Sequence, residues 1–157
     1  MGEVVAFIGH RSIKNIESVK ERLTECLNAL IGEGVDTFLF GSVGDFNWLC
    51  YEVVSELKER YQHIRRVYVR AEYDVVSEDY VEYLYSHYED SFFPGKVLKA
   101  GARSYVVRNQ VMIEKCDVLV TNCDVNYKAP RNTKSGTIMA VAYAMRKKKR
   151  VINLFDA

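Results

Sequence analysis

Glu3 to Ile8 (EVVAFI) is a short, nearly continuous apolar run, the mark of a strand whose two faces are both covered. After it, Ile16, Val19, Leu23, Cys26, Leu27 and Leu30 recur at spacings of three and four, which predicts an amphipathic helix from about Ile16 to Ile31. Asn15 is placed to cap that helix, and Gly32 and Gly34 punctuate its end. The alternation then repeats: a strand at Asp36 to Phe40, a helix from about Phe46 to Arg60 burying Leu49, Val53, Val54 and Leu57, and a third strand beginning at Arg66 to Val69. A covered strand, a one-sided helix and another covered strand, joined by short links, imply a parallel sheet with its crossover helices on both faces.

Ser77 to Ala102 breaks this rhythm. Tyr80, Tyr83, Leu84 and Tyr88 suggest a helix with one aromatic face, suited to a core or a dimer contact, and Phe92-Phe93-Pro94-Gly95 suggests a turn. A helix from about Arg103 to Lys115, a fourth strand at Asp117 to Thr121, an apolar helix over Ile138 to Met145 and a last strand at Arg150 to Leu154 complete the chain. The expected fold is therefore α/β, a three-layer Rossmann-like sandwich with a mainly parallel central sheet of five strands, formed by residues 1–157 as one domain.

Composition narrows the function classes. A net charge of +1 provides no basic footprint, so nucleic acid is an unlikely partner. No apolar run is long enough for a membrane span, and no leader peptide is evident, so the expected location is the cytoplasm. Cys26, Cys50, Cys116 and Cys123 lie in apolar segments without zinc-ligand spacing and read as reduced core thiols. His10, His63 and His87 are unpaired in the sequence, so no metal site is expected, and no bound cofactor is implied. The run Arg146 to Arg150 (RKKKR) sits where a helix ends, and its cations suit the carbonyl end of the helix dipole.

The functional reading rests on turns. In an open parallel sheet all strand carboxyl ends share one edge, and ligands bind there where the strand order reverses. Gly9-His10-Arg11, Gly41-Ser42, Arg70 with Glu72 and Tyr73, and Asn122 to Asp124 all follow strands and are expected to face one crevice. Ser135-Gly136-Thr137 opens the helix after the fourth. Thr133 or Ser135 can cap that helix, and its free amides with Lys134 can hold a phosphate. Gly9, Arg11, Gly41, Ser42, Arg108, Ser135, Gly136 and Thr137 are expected to line one anion pocket, with the two arginines as counter-charges. Glu72 and Asp124 stand where a general base or a ribose-hydroxyl acceptor would be. Neither GxGxxG, nor GxxxxGK[ST], nor GxSxG is present.

Phe7-Ile8-Gly9-His10-Arg11, Gly41-Ser42 with Phe46-Asn47 and Glu52, Arg108-Asn109 with Met112, Asp117, and Ser135-Gly136-Thr137 together resemble the YpsA-like branch of the SLOG superfamily, which groups DprA with the lonely-guy proteins. The resemblance implies a Rossmann-like domain that binds a nucleotide or a nucleotide-derived small molecule such as an ADP-ribose derivative. It adds Asn47 and Asn109 to the candidate ligand residues. It also implies a homodimer, since lonely-guy proteins pair through helices near the tyrosine-rich segment.

Two departures bear on catalysis. Lonely-guy phosphoribohydrolases carry R-K-x-x-M and P-G-G-x-G-T-x-x-E, with the arginine and glutamate catalytic. Here Arg108 and Met112 match the first element with Asn109 in place of lysine, and the glutamate position is Ala140. Asn47 stands where the YpsA-like pattern usually has aspartate. The alternative function, N-glycoside hydrolysis or transfer on nucleotides, would need Glu52, Glu72 or Asp124 to replace the missing carboxylate.

Overall fold

A computed structural model describes residues 2–41, 44–72, 75–127 and 135–156. Ser42, Tyr73, Thr133 and Lys134, among the expected site or capping residues, lie outside them. The elements run β1 (Glu3–Gly9), α1 (Ile16–Gly32), β2 (Val35–Phe40), α2 (Asp45–Arg60), β3 (Arg65–Val69), α3 (Glu78–His87), β4 (Asp90–Phe92), α4 (Gly95–Leu98), α5 (Ser104–Lys115), β5 (Val118–Asn122), α6 (Gly136–Arg146) and β6 (Arg150–Asn153), with a single 3-10 turn at Gly101–Arg103 before α5. The six strands lie in the order β4-β3-β2-β1-β5-β6 and every pairing is parallel.

Strand alternation divides the core into two layers. Val5 and Phe7 of β1, Phe38 and Phe40 of β2, and Val118 and Val120 of β5 face α1 and α2, where Leu23, Leu27, Phe46, Val53 and Val54 meet them. The intervening residues Ala6, Ile8, Leu39, Val67, Val69 and Leu119 face α5 and α6, against Met112, Ile113, Ala140 and Ala144. The fold is thus the expected three-layer Rossmann-like sandwich. At its centre Phe7 stacks on Phe38 (ring centroids 5.8 Å apart, planes 6° from parallel) and meets Phe40 at 5.1 Å.

Two local expectations are corrected. Asn15 does not cap α1 with its side chain; it takes a left-handed conformation (φ 58°), which asparagine tolerates, and its carbonyl receives the Val19 amide at 3.1 Å. The sheet also has a sixth strand, β4, inside the segment read as helix and turn. It is held by Glu89, whose carboxylate accepts from Arg66 Nε at 3.0 Å and Arg66 Nη2 at 2.7 Å while its amide donates to the Arg66 carbonyl at 2.9 Å.

The tyrosine-rich segment is split: Leu84 and Tyr88 enter the core, while Tyr85 is 61% exposed. All four cysteines are free, three of them buried, and burial pushes the Cys116 thiol up to about 11. Among the described residues no helix is long and apolar enough to cross a membrane.

Candidate functional site

Strand order reverses between β1 and β5, whose neighbours lie on opposite sides. The helices after β1 and after β5 pack on opposite faces of the sheet. The carboxyl ends of these two strands therefore flank a crevice, the position where open α/β sheets take their ligands. Gly9 ends β1 and is in register with Asn122, which ends β5.

Gly9 is glycine because of its neighbour on α2: a Cβ there would lie 2.3 Å from Phe46 Cδ2, and Phe46 is only 1% exposed. The loop beyond it is clamped to the start of α2, with the Asp45 amide donating to the Arg11 carbonyl at 2.8 Å and the Ile13 amide donating to Asp45 Oδ2 at 3.1 Å. The Arg11 backbone is thereby fixed and its side chain is exposed. Gly9→Ala is expected to cost about 1–3 kcal/mol in stability, because a buried phenylalanine ring must move to admit the methyl group. Urea denaturation checks this, and an unchanged midpoint would mean that the ring shifts freely.

His10 is 5% exposed and stacks on Tyr127, with centroids 4.2 Å apart. Its Nε2 accepts the Asp124 amide at 3.0 Å, so the neutral ring carries its proton on Nδ1. Burial lowers the His10 pKa below the ordinary 6.5, against the raising effect of Asp124. The unfolded chain therefore binds this proton more readily than the folded one. His10's contribution to stability is fully present above about pH 6.5 and is lost as pH falls through the depressed folded value. The urea midpoint of the native protein should drop more between pH 7.5 and pH 5 than that of His10→Gln; equal slopes would count against this assignment. Asp124 itself closes a turn, its Oδ1 accepting the Asn126 amide at 2.9 Å and its carbonyl the Tyr127 amide at 3.0 Å.

Arg108 reaches the same edge from α5. It is 3% exposed, donating through Nε to Asn109 Oδ1 at 3.1 Å and through Nη1 to the Val69 carbonyl at 3.4 Å. Gly41 leaves it room, since a Cβ there would lie 2.7 Å from Arg108 Cδ and 2.8 Å from Met112 Sδ. Burial lowers the Arg108 pKa, opposed by the nearby Tyr68, Glu72 and Tyr105. No carboxylate of the described residues comes within ion-pair distance of it. Glu72 is directed elsewhere, accepting from the Tyr68 hydroxyl and from the Ala71 amide, each at 3.3 Å. A buried cation without a carboxylate partner costs several kcal/mol, and an anionic ligand would offset that cost.

On the far side of the crevice Ser135 caps α6, its hydroxyl accepting the Ile138 amide at 3.3 Å. Ser135 and Thr137 are buried, whereas among the described residues nothing outside its chain neighbours and its own helix lies within 4 Å of where a Gly136 Cβ would be. The first-turn amides of α6 that Ser135 leaves uncapped carry the positive end of the helix dipole. Three further polar atoms are buried without a hydrogen-bond partner: Asn47 Oδ1, Thr121 Oγ1 and Asn122 Oδ1. Each costs about 1–3 kcal/mol as it stands. In the sequence Asn122 reads as part of a turn after the fourth strand, facing the crevice; it ends β5 instead, and its unpaired oxygen and that of Thr121 carry no signal in the sequence. Glu52, by contrast, lies on the outer surface, bonded to Lys20 at 2.9 Å.

A family model described as YpsA, YspA SLOG family, matches residues 7–156. The chain belongs to the YspA SLOG family. Among solved structures the fold is shared by DNA processing protein A from Helicobacter pylori, described by its single-stranded DNA binding mode. It is 17% identical with a TM-score of 0.59, and the match covers 96% of this chain and 64% of that one. The molybdenum cofactor carrier protein MCP from Chlamydomonas reinhardtii is 16% identical with a TM-score of 0.57, over 96% of this chain and 75% of that one. No curated protein matches the chain. In this SLOG family member the glycine turns, Arg108 and the start of α6 all stand at the carboxyl edge of the sheet. The lonely-guy glutamate position, Ala140, is core, 5% exposed.

Proposed function

We propose that this SLOG domain binds a nucleotide or nucleotide-derived ligand of the ADP-ribose kind across the β1/β5 crevice, its phosphates taken by Arg108 and by the first-turn amides of α6. The observation that carries this reading is Arg108, a nearly fully buried guanidinium held against Gly41 with no carboxylate of the described residues within ion-pair distance. Binding rather than glycoside cleavage is favoured because Ala140 offers a methyl group where an anion would be needed. Of the three possible substitutes, Glu52 is paired with Lys20 on the outer surface, Glu72 is bonded to Tyr68 and Ala71, and Asp124 closes a turn by accepting the Asn126 amide. Isothermal titration calorimetry with AMP, ADP, NAD, ADP-ribose, inorganic pyrophosphate and an oligo-dT strand tests the reading. Saturable binding of a nucleotide that is lost in Arg108→Ala is the expected result. Binding of oligo-dT alone would replace it with a nucleic-acid function, which a net charge of +1 disfavours.

A further inference from the structure

The groups that suit a phosphate in this crevice are all hydrogen-bond donors: the Arg108 guanidinium and the amides opening α6. Asn47 and Asn122 offer the opposite chemistry. Asn122 follows Val118 and Val120 on the face of β5 that packs toward α1 and α2, and it lies in register beside Gly9. Asn47 follows Phe46, the residue whose ring fills the space at Gly9. Asn122 thus stands beside the end of β1, and Asn47 lies in the first turn of α2, the helix whose Phe46 packs on Gly9; they are 5% and 4% exposed, and among the described residues neither side-chain carbonyl oxygen has a partner. A carbonyl oxygen repels phosphate and selects a donor, and a neutral amide suits a neutral donor better than an ammonium, which a carboxylate would hold more firmly.

We propose that Asn47 and Asn122 are specificity residues that accept hydrogen bonds from sugar hydroxyls, so that the site takes a ribose-phosphate rather than any small anion. This rests on the nucleotide reading above and adds the orientation of the ligand: hydroxyls against β1 and α2, phosphate toward Arg108 and α6. A buried acceptor left unpaired is what allows such a site to reject an analogue that lacks the donor. Removal of the acceptor from the free protein relieves an unmet hydrogen bond and is not expected to lower stability.

The test is calorimetry with ADP, 2′-deoxy-ADP, 3′-deoxy-ADP and inorganic pyrophosphate, on the native protein, Asn47→Leu and Asn122→Leu. The native protein should bind ADP at least about tenfold more tightly than one of the deoxy forms. Each leucine variant should lose that preference, keep its affinity for pyrophosphate, and unfold in urea at the same or a higher midpoint. Equal affinity of the native protein for ADP and both deoxy forms would overturn the inference while leaving the nucleotide reading intact. A lowered urea midpoint in both leucine variants would also overturn it, since the amides would then be structural. If none of the nucleotides binds, the nucleotide reading fails and this inference fails with it.

Discussion

Arg108→Met should raise the melting temperature of the free protein and at the same time weaken nucleotide binding. The two effects have one cause. In the free protein the guanidinium is 3% exposed, donates to Asn109 Oδ1 and the Val69 carbonyl, lies over the Tyr105 ring at 5.4 Å, and has no carboxylate of the described residues within ion-pair distance. Exchanging a buried charged group for an apolar side chain is neutral or stabilising by about 1–4 kcal/mol where the neighbours close around it. Methionine follows the arginine stem along Gly41 beside Met112 and stops short of the guanidinium, the group whose burial is costly. A charge-assisted hydrogen bond to a ligand phosphate is worth about 1.5–3 kcal/mol, so affinity should fall between roughly tenfold and 150-fold. Differential scanning calorimetry and nucleotide titration on the same preparation measure both. A fall in melting temperature would mean that Arg108 is a structural tie between α5 and the end of β3, and the anion account of the site would lose its main support.

The parts of this chain that could be read from sequence are those whose cause is local. β1 and β5 are largely apolar runs, and β2 becomes one from Phe38 on, because both faces of these strands are buried there, and α1 carries its buried stripe in the spacing of Val19, Leu23, Leu27 and Leu30. β4 has no such signature: Asp90 and Ser91 are polar, the strand is three residues long, and it is fixed beside β3 by contacts distant in sequence, among them the Glu89 carboxylate on Arg66. Asn15 shows the same limit on a smaller scale, since asparagine favours both a helix cap and a left-handed turn, and only the path of the chain decides between them. In the site, Gly9 and Gly41 were visible as glycines after strands. Their reasons, the Phe46 ring and the Arg108 stem, come from helices 37 and 67 residues further along the chain. Asn122 was legible as a residue at the crevice, but its unmet hydrogen bond was not, because that is a property of packing and leaves no trace in residue order.

Gly136→Glu should abolish nucleotide binding and leave the protein at least as stable as before. Among the described residues no heavy atom beyond its chain neighbours and its own helix lies within 4 Å of the position a Cβ would take, and Gly136 is not among the positive-φ glycines, so the substitution carries no backbone strain. It replaces glycine in the first turn of α6 with a better helix former, worth about 0.5–1 kcal/mol, and sets a carboxylate against the positive end of the helix dipole, worth a further 0.3–1 kcal/mol or so. That carboxylate then competes for the amides proposed to receive the phosphate, and it repels any anion approaching Arg108. Ser135→Ala supplies the contrast: it removes the bond to the Ile138 amide, which should cost about 1 kcal/mol of stability, while the amides at Gly136 and Thr137 stay available to a ligand. If the start of α6 is only a capped helix end, Ser135→Ala lowers the urea midpoint and neither variant alters affinity for ADP. If it is the phosphate cradle, the two measurements separate, with Ser135→Ala changing mainly stability and Gly136→Glu changing mainly binding. Full affinity for an established nucleotide in Gly136→Glu would place the phosphate elsewhere on the sheet edge and remove α6 from the site.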